Sequence, residues 1–362
     1  MSKTLLVDGN NLLKIGFHGV RDFYHNGKHV GGVWHFLNTL RKFLEEHNYD
    51  KVVVFWDSKT SSSQRRLIYP KYKLNRKPSE TEQKEESFLE QKQRVKQYLE
   101  EMFVRQLETE HAEADDLIAQ YCKISLDEEK TIFSSDRDLT QLISERVSIY
   151  SPSAKQYYKF GDMIKLHDIE IPHYNVKIVK ILTGDSSDNI DGIFYLGEKT
   201  LVKLFPELLE ELVQIPYILE RSNNLLKEEK GNIALQNLLS GKTKEGIFGD
   251  EFFVINQKLV DLDEPLLSDE EKESLKTTIK KHFQKSKSEN PDNNLLTPAG
   301  HGTGNWTFIS GKKAQKKRKW ETVVKKWASK YIKEDSRDVE QWARLNRRMC
   351  MLPKTMMLPS EM

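Results

Sequence analysis

Nine carboxylates fall in five short patches: Asp8 in LLVDGNN, Asp57 in VVVFWD, Glu113, Asp115 and Asp116 in EADD, Asp136 and Asp138 in SSDRD, and Asp185 and Asp188 in GDSSD. Oxygen donors with no histidine or cysteine among them favour magnesium or manganese over zinc. Packed together without cations, so many carboxylates would resist one another's ionisation, and bound divalent ions remove the conflict. Two ions about 4 Å apart can hold a phosphodiester, lower the pKa of an attacking water and stabilise the leaving oxygen without a protein nucleophile. The reaction class is therefore phosphodiester hydrolysis. Taken singly, each patch reads more readily as a turn or a helix cap; five of them in this order are hard to assemble that way.

The local spacing adds detail. Glu113 and Asp116 are three apart and share one helix face, whereas Asp115 is offset by about 100° per residue, so the trio can serve two neighbouring ions. The spacing of three recurs between Asp185 and Asp188 at an expected helix N-terminus.

Four of the patches follow an apolar run or open an apolar helix, and strand C-terminal ends in an open parallel sheet meet along one crevice. Lys3 to Val7 and Lys51 to Trp56 read as buried strands, with a helix from Val33 to Glu46 between them. A helix from Ala112 to Ile124, a strand from Thr131 to Ser134 and another from Val147 to Tyr150 continue the alternation, which predicts an α/β fold with a mostly parallel, doubly wound sheet. Between Glu80 and Glu108, Val95, Tyr98, Leu99, Met102 and Phe103 stripe a highly charged helix expected to stand partly clear of the body. The expected organisation is a catalytic domain over residues 1–174, a helical domain over 175–284, a linker over 285–311 and a basic extension over 312–362.

Composition bounds the reading. The 362 residues carry 31% charged and 37% hydrophobic side chains, and the longest strongly apolar run, Val52 to Trp56, is far shorter than a membrane span. No signal-peptide pattern opens the chain, and a cytosolic protein is expected. Two cysteines, Cys122 and Cys350, support neither a disulfide framework nor a cysteine zinc site. The net charge of +2 hides a split: from Gly311 onward 15 Lys/Arg face 6 Asp/Glu, while the rest holds 42 against 49. A basic tail suggests contact with a polyanion, with a solvated lysine-rich helix as the alternative.

A second motif is QRRLIYPKYKLNRK, in which Arg65, Arg66, Lys71, Lys73, Arg76 and Lys77 interleave with Tyr69 and Tyr72. Cations pair with phosphates and tyrosine rings stack on unpaired bases, a combination suited to a single strand. His18, His25 and His29 lack acidic neighbours and read as a surface loop; Asp261 and Asp263 in KLVDLDEP carry no assigned chemistry.

The order and spelling of these motifs, over roughly Lys3 to Phe205 and more weakly to about Phe283, resemble the 5′-nuclease or flap endonuclease family, which includes phage 5′-exonucleases, phage-type ribonuclease H and the small domain of bacterial DNA polymerase I. The resemblance implies a PIN-like sheet and a two-ion site of Mg²⁺ or Mn²⁺. Asp8, Asp57, Glu113 and Asp115 match its tight group, and Asp116, Asp136, Asp138, Asp185 and Asp188 its looser one. Tyr72, Lys73, Asn75 and Arg76 match a Y-K-x-N-R signature at the base of a helical arch that passes the 5′ strand; Lys73 and Arg76 would face the scissile phosphate and Tyr72 would stack the terminal base. Gly192 to Gly197, followed by Lys199, Thr200 and Lys203, matches a helix-hairpin-helix that grips duplex DNA and often K⁺, although Tyr195 stands where the family commonly has glycine. All the acidic positions are filled. The implied activity is 5′-3′ exonuclease and flap endonuclease action on 5′ ends or flaps of DNA and on RNA·DNA hybrids, clearing primers and displaced strands in replication and repair. With no polymerase module following, the chain would act as a separate protein, as in phages, and its basic tail would contact duplex or a replication protein. The alternatives are a PIN-class processing ribonuclease and a catalytically silent DNA-structure binder.

Overall fold

The computed structural model describes residues 1–75, 82–102, 104–228 and 231–288. Strand β1 (Ser2–Asp8) runs straight into helix α1 (Gly9–Gly19) because Asp8 caps it, accepting the Asn11 N–H at 2.9 Å. A small hairpin follows, β2 (Tyr24–His25) and β3 (Lys28–His29), turned by Asn26 and Gly27 at φ 49° and 72°. Asparagine and glycine are the residues that tolerate this left-handed pair. Helix α2 (Gly31–Glu46) leads to β4 (Lys51–Phe55), α3 (Ser63–Ile68), α4 (Glu82–Glu101), β5 (Arg105–Leu107), α5 (Ala114–Ile124), β6 (Glu128–Phe133), β7 (Val147–Ser151) and β8 (Gln156–Tyr158).

Six of these strands form one sheet in the order β5-β4-β1-β6-β7-β8, parallel throughout except for the β7–β8 pair. The chain moves outward from β1 through β4 to β5, then returns to the other side of β1 with β6. That reversal opens the crevice at the C-terminal ends of the central strands. Side-chain alternation covers both faces: Leu5, Val7, Val52 and Val54 face a core shared with α1, α2 and α4, and Leu6, Val53, Phe55 and Ile132 face a core shared with α5.

The second core continues without a break into the C-terminal helices: α6 (Val176–Thr183), α7 (Glu198–Leu204), α8 (Ile215–Glu228), α9 (Ile233–Leu239), α10 (Asp250–Val260) and α11 (Asp269–Ser288). An antiparallel pair, β9 (Met163–Lys165) and β10 (Glu170–Pro172), precedes them.

The structure corrects the sequence reading in several places. The charged helix α4 does not stand clear: Val95 and Leu99 are fully buried against the sheet's first core. Gln91 anchors it further, its Oε1 accepting the N–H groups of Gly32 and Val33, which α2's own N-cap leaves without a side-chain partner. Strand β5 lies inside the stretch read as helix, and β2, β3, β8, β9 and β10, each two or three residues long, are too short for side-chain alternation to reveal. His29 is tied down, with Nε2 2.6 Å from the Val20 carbonyl and Nδ1 3.2 Å from Gln91 Nε2. Most of the expected linker and all of the basic extension over 312–362 lie outside the described residues. Among the described residues no helix is long and apolar enough to cross a membrane.

Candidate metal centre and nucleic-acid interface

Three adjacent central strands deliver acids to the same crevice. Asp8 closes β1, Asp57 follows β4 by two residues and Asp136 follows β6 by three. Ser134 links two of them: its hydroxyl donates to Asp8 Oδ2 at 2.9 Å and accepts the Asp136 N–H at 3.1 Å. Asp57 Oδ1 accepts the Ala114 N–H at 2.7 Å, supplying the cap that Glu113, at the N-cap position of α5, does not. Its Oδ2 accepts from Asn10 Nδ2 at 2.6 Å, and the Lys92 ammonium donates to its backbone carbonyl. Through that cap, the end of β4 sets the position of Glu113, Asp115 and Asp116.

The carboxylates feel one another. Burial first, then the charges of Asp57 and Asp136, push Asp8 up to about 7 against the bonds from Asn11 and Ser134. Asp115 is raised well above the usual carboxylate range by burial and by Asp136, Asp8, Asp57 and Glu113. These five acids occupy one electrostatic neighbourhood.

Glu113, Asp188, Asp138 and Asp185 each meet a lysine of the chain itself. Lys73 places Nζ 2.6 Å from Glu113 Oε1 and 3.5 Å from Asp188 Oδ2, and its N–H donates to the Asp188 carbonyl at 2.8 Å. Burial alone would raise Glu113, but Arg65, Lys73 and the Tyr72 hydroxyl hold it down at about 2. Lys180, on α6, lies between Asp138 and Asp185, with Nζ 2.7 Å from Asp185 Oδ2. Despite its burial, Asp185 falls to about 2 through Lys180 and Ser187. Asp138 touches the same ammonium yet rises to about 7, because burial and the neighbouring Asp136 outweigh it.

Asp116 is taken up by a different partner. It is fully buried in a two-pronged ion pair with Arg65, at 2.6 and 3.0 Å, and accepts the Leu266 N–H at 2.9 Å. The shared face of Glu113 and Asp116 is real, but what sits on it is the Arg65 guanidinium, which also reaches Glu113 at 3.5 Å.

Two residues of the basic segment are therefore reassigned. Arg65 is buried and its Nε donates to the Leu259 carbonyl, so it offers no face to a phosphate. Tyr72 is 1% exposed, its hydroxyl lying 2.9 Å from Glu113 and 3.0 Å from Asp188, to one of which it donates, with the Lys73 ammonium over its ring, so it presents no open ring to a base. Arg66 is exposed, donating through Nε to the Tyr72 carbonyl. Arg76 and Lys77 lie outside the described residues.

Sequence reasoning passed over Asn10, Lys92, Ser134 and Lys180. Only Lys180 left a trace: five residues before Asp185, it is the second of two lysines on a largely apolar helix. Among the described residues no three His, Cys, Asp or Glu side chains close into a ready coordination cage. The donor chemistry nonetheless suits hard divalent cations: Asp8 and Asp115 sit in a field of like charge that their neighbours do not neutralise.

Further along, Gly192 follows α6 in a tight return. A side chain there would meet the Thr183 carbonyl oxygen at 2.0 Å, so only glycine fits. Gly197 caps α7 in open space. Thr200 is half-buried on that helix, Lys203 is exposed, and Lys199 is exposed with Nζ 3.1 Å from Asp168. Tyr195, at the tip, holds φ 65°, a conformation a bulky side chain rarely accepts.

Residues 3–167 match the family described as 5′-3′ exonuclease, N-terminal resolvase-like domain. The chain is 34% identical over 217 residues to a 5′-3′ exonuclease of Halalkalibacterium halodurans, covering 56% of this chain and 69% of that one. It is 34% identical over 211 residues to the thermostable DNA polymerase I of Thermus filiformis, covering 57% of this chain and 24% of the other. The chain thus spans about a quarter of the length of such polymerase relatives. Among solved structures, the phage T5 5′-exonuclease with bound zinc aligns with TM-score 0.62 at 21% identity, covering 77% of this chain and 98% of that one. A phage T5 flap endonuclease in complex with DNA and metal ions aligns with TM-score 0.61 at 22% identity, covering 77% and 98%. These likenesses establish a shared fold, the mostly parallel sheet with helices read from the sequence.

Proposed function

Because the chain belongs to the 5′-3′ exonuclease family, we propose that it is a metal-dependent nuclease that hydrolyses phosphodiester bonds at 5′ ends and flaps of DNA and in RNA·DNA hybrids, as needed to remove primers and displaced strands in replication and repair. The observation that carries this reading is the crevice in which burial and the charges of Asp57 and Asp136 push the carboxyls of Asp8 and Asp115 upward. A protein keeps such a conflict where a cation is to be bound.

Asp8, Asp57, Glu113, Asp115 and Asp136 are the proposed ligands of one Mg²⁺ or Mn²⁺, and Asp138, Asp185 and Asp188 those of a second. Asp116, committed to Arg65, holds α5 in place instead. Bound divalent ions would supply Lewis acidity to the scissile phosphate and to an attacking water. The chain's own residues orient that set: Ser134 and Asn11 fix both oxygens of Asp8, and Asp57 holds α5 by its cap. Lys73 and Lys180 are ammonium groups already at the crevice, able to turn from carboxylate to phosphate when cations take over the acids. Arg66, Arg76 and Lys77 are proposed to follow the single strand, and Gly192, Gly197, Lys199, Thr200 and Lys203 to hold the duplex behind it. The catalytic portion would be residues 1–174 and the duplex-holding portion residues 175–284.

The test is cleavage of a 5′-labelled flap and an RNA·DNA hybrid with and without Mg²⁺. Magnesium-dependent incision near the junction supports the reading; inertness under both conditions, with DNA binding intact, would leave a silent binder in its place. Lys73→Ala is expected to lower kcat about 10²-fold while changing duplex Kd less than threefold. Equal losses in both would show that Lys73 only binds.

A further inference from the structure

At the hairpin tip, Tyr195 stands at φ 65° with 64% of its surface exposed. Neither the backbone nor the core accounts for it: the conformation favours glycine, and the ring packs into nothing deep. Strain kept at an exposed position points to a use for the side chain.

Its surroundings are built for the purpose. The Phe194 ring lies 4.0 Å from the Tyr195 ring, tilted at 33°, and Tyr195 remains largely exposed. The Phe194 N–H donates to the Lys242 carbonyl at 2.9 Å, and Lys242 bridges to Ile247 across a tight loop. The loop thus sits beside the hairpin and adds Ile247 at 69% and Phe248 at 42% exposure. Lys242 and Lys244 bring positive charge to the same loop. The acid between them and the loop's end, Glu245, is paired with Lys71 at 2.5 Å, which ties the loop to the basic segment.

We propose that Tyr195, backed by Phe194 and flanked by Ile247 and Phe248, is a stacking platform for an unpaired nucleobase beside the duplex, with Lys242 and Lys244 meeting the adjoining phosphates. An aromatic face with nearby cations matches the chemistry of an exposed base and its backbone. Paired bases keep their faces in the stack, so the platform distinguishes a nick, gap or junction from continuous duplex. The inference rests on the proposed nuclease reading, with the hairpin region lying against duplex.

The experiment measures Kd of the full chain in Ca²⁺ or EDTA, without cleavage, for a gapped flap substrate and for a blunt, fully paired duplex. Tyr195→Gly is expected to weaken the gapped substrate about tenfold, leave the blunt duplex within twofold and melt at or above the wild-type temperature, because glycine relieves the left-handed strain. Tyr195→Phe should retain the wild-type preference. Unchanged affinity for the gapped substrate in Tyr195→Gly, or equal weakening of both, overturns the platform. If the wild-type chain binds neither substrate, the nuclease reading itself fails, which is a different result.

Discussion

Asp8→Asn is expected to abolish cleavage, with a loss on the order of 10³-fold, and at the same time to make the metal-free protein more resistant to unfolding at pH 8. Asparagine keeps the cap on α1, since its carbonyl can still accept the Asn11 N–H. What it removes is a charge that burial and the neighbouring acids oppose. The folded pKa of Asp8, about 7, lies above its unfolded value near 3.8. The group's contribution to stability is therefore complete below the unfolded value and lost as pH rises through 7. A permanently neutral residue escapes that loss, by an amount of up to about 4 kcal/mol if the whole shift is expressed. The gain should be present at pH 8 and absent near pH 4. Denaturant unfolding in EDTA at the two pH values measures it, and magnesium should stabilise the wild type while leaving the variant nearly unmoved. A variant less stable than wild type at pH 8 without metal would contradict the electrostatic account of the crevice.

The second large effect concerns a buried cation that reaches Glu113 but is committed chiefly to Asp116. Arg65→Ala is expected to cost about 3–5 kcal/mol, because it strands the fully buried Asp116 carboxylate without its partner. Against a total stability of roughly 5–15 kcal/mol for such proteins, the variant would be barely folded. Pairing Arg65→Met with Asp116→Asn should recover most of the loss, since both charges are gone and asparagine still accepts the Leu266 N–H. The pair also stitches α3 and α5 to the chain around Leu259 and Leu266, so its rupture should be felt in the C-terminal helices. Hydrogen exchange would report that spread; a single Arg65→Ala variant with wild-type unfolding would dismiss it.

These two residues also mark where sequence reading succeeds and where it stops. Asp8 and Asp57 are legible because an apolar strand run that ends at an acid fixes both the element and the location of the carboxylate. Asp136 follows the same logic one strand over. Arg65 and Tyr72 are not legible: in a basic, aromatic stretch they look solvent-facing, and their burial depends on Asp116, Glu113 and Asp188, 41 to 116 residues away. Likewise β5 hides in a charged stretch, since three residues give too short an alternation to compete with a helical stripe. Lys180 is missed for the opposite reason. Its helix is plain in the sequence, but which acids an ammonium meets is decided by how α6 lies on the turn holding Asp138.

The sheet described above terminates on both sides in strands of three residues, β5 and β8. Each offers too few free backbone donors and acceptors to template a further strand from another molecule. Among the described residues, the main sheet's rims thus give little purchase for strand-by-strand pairing with another copy.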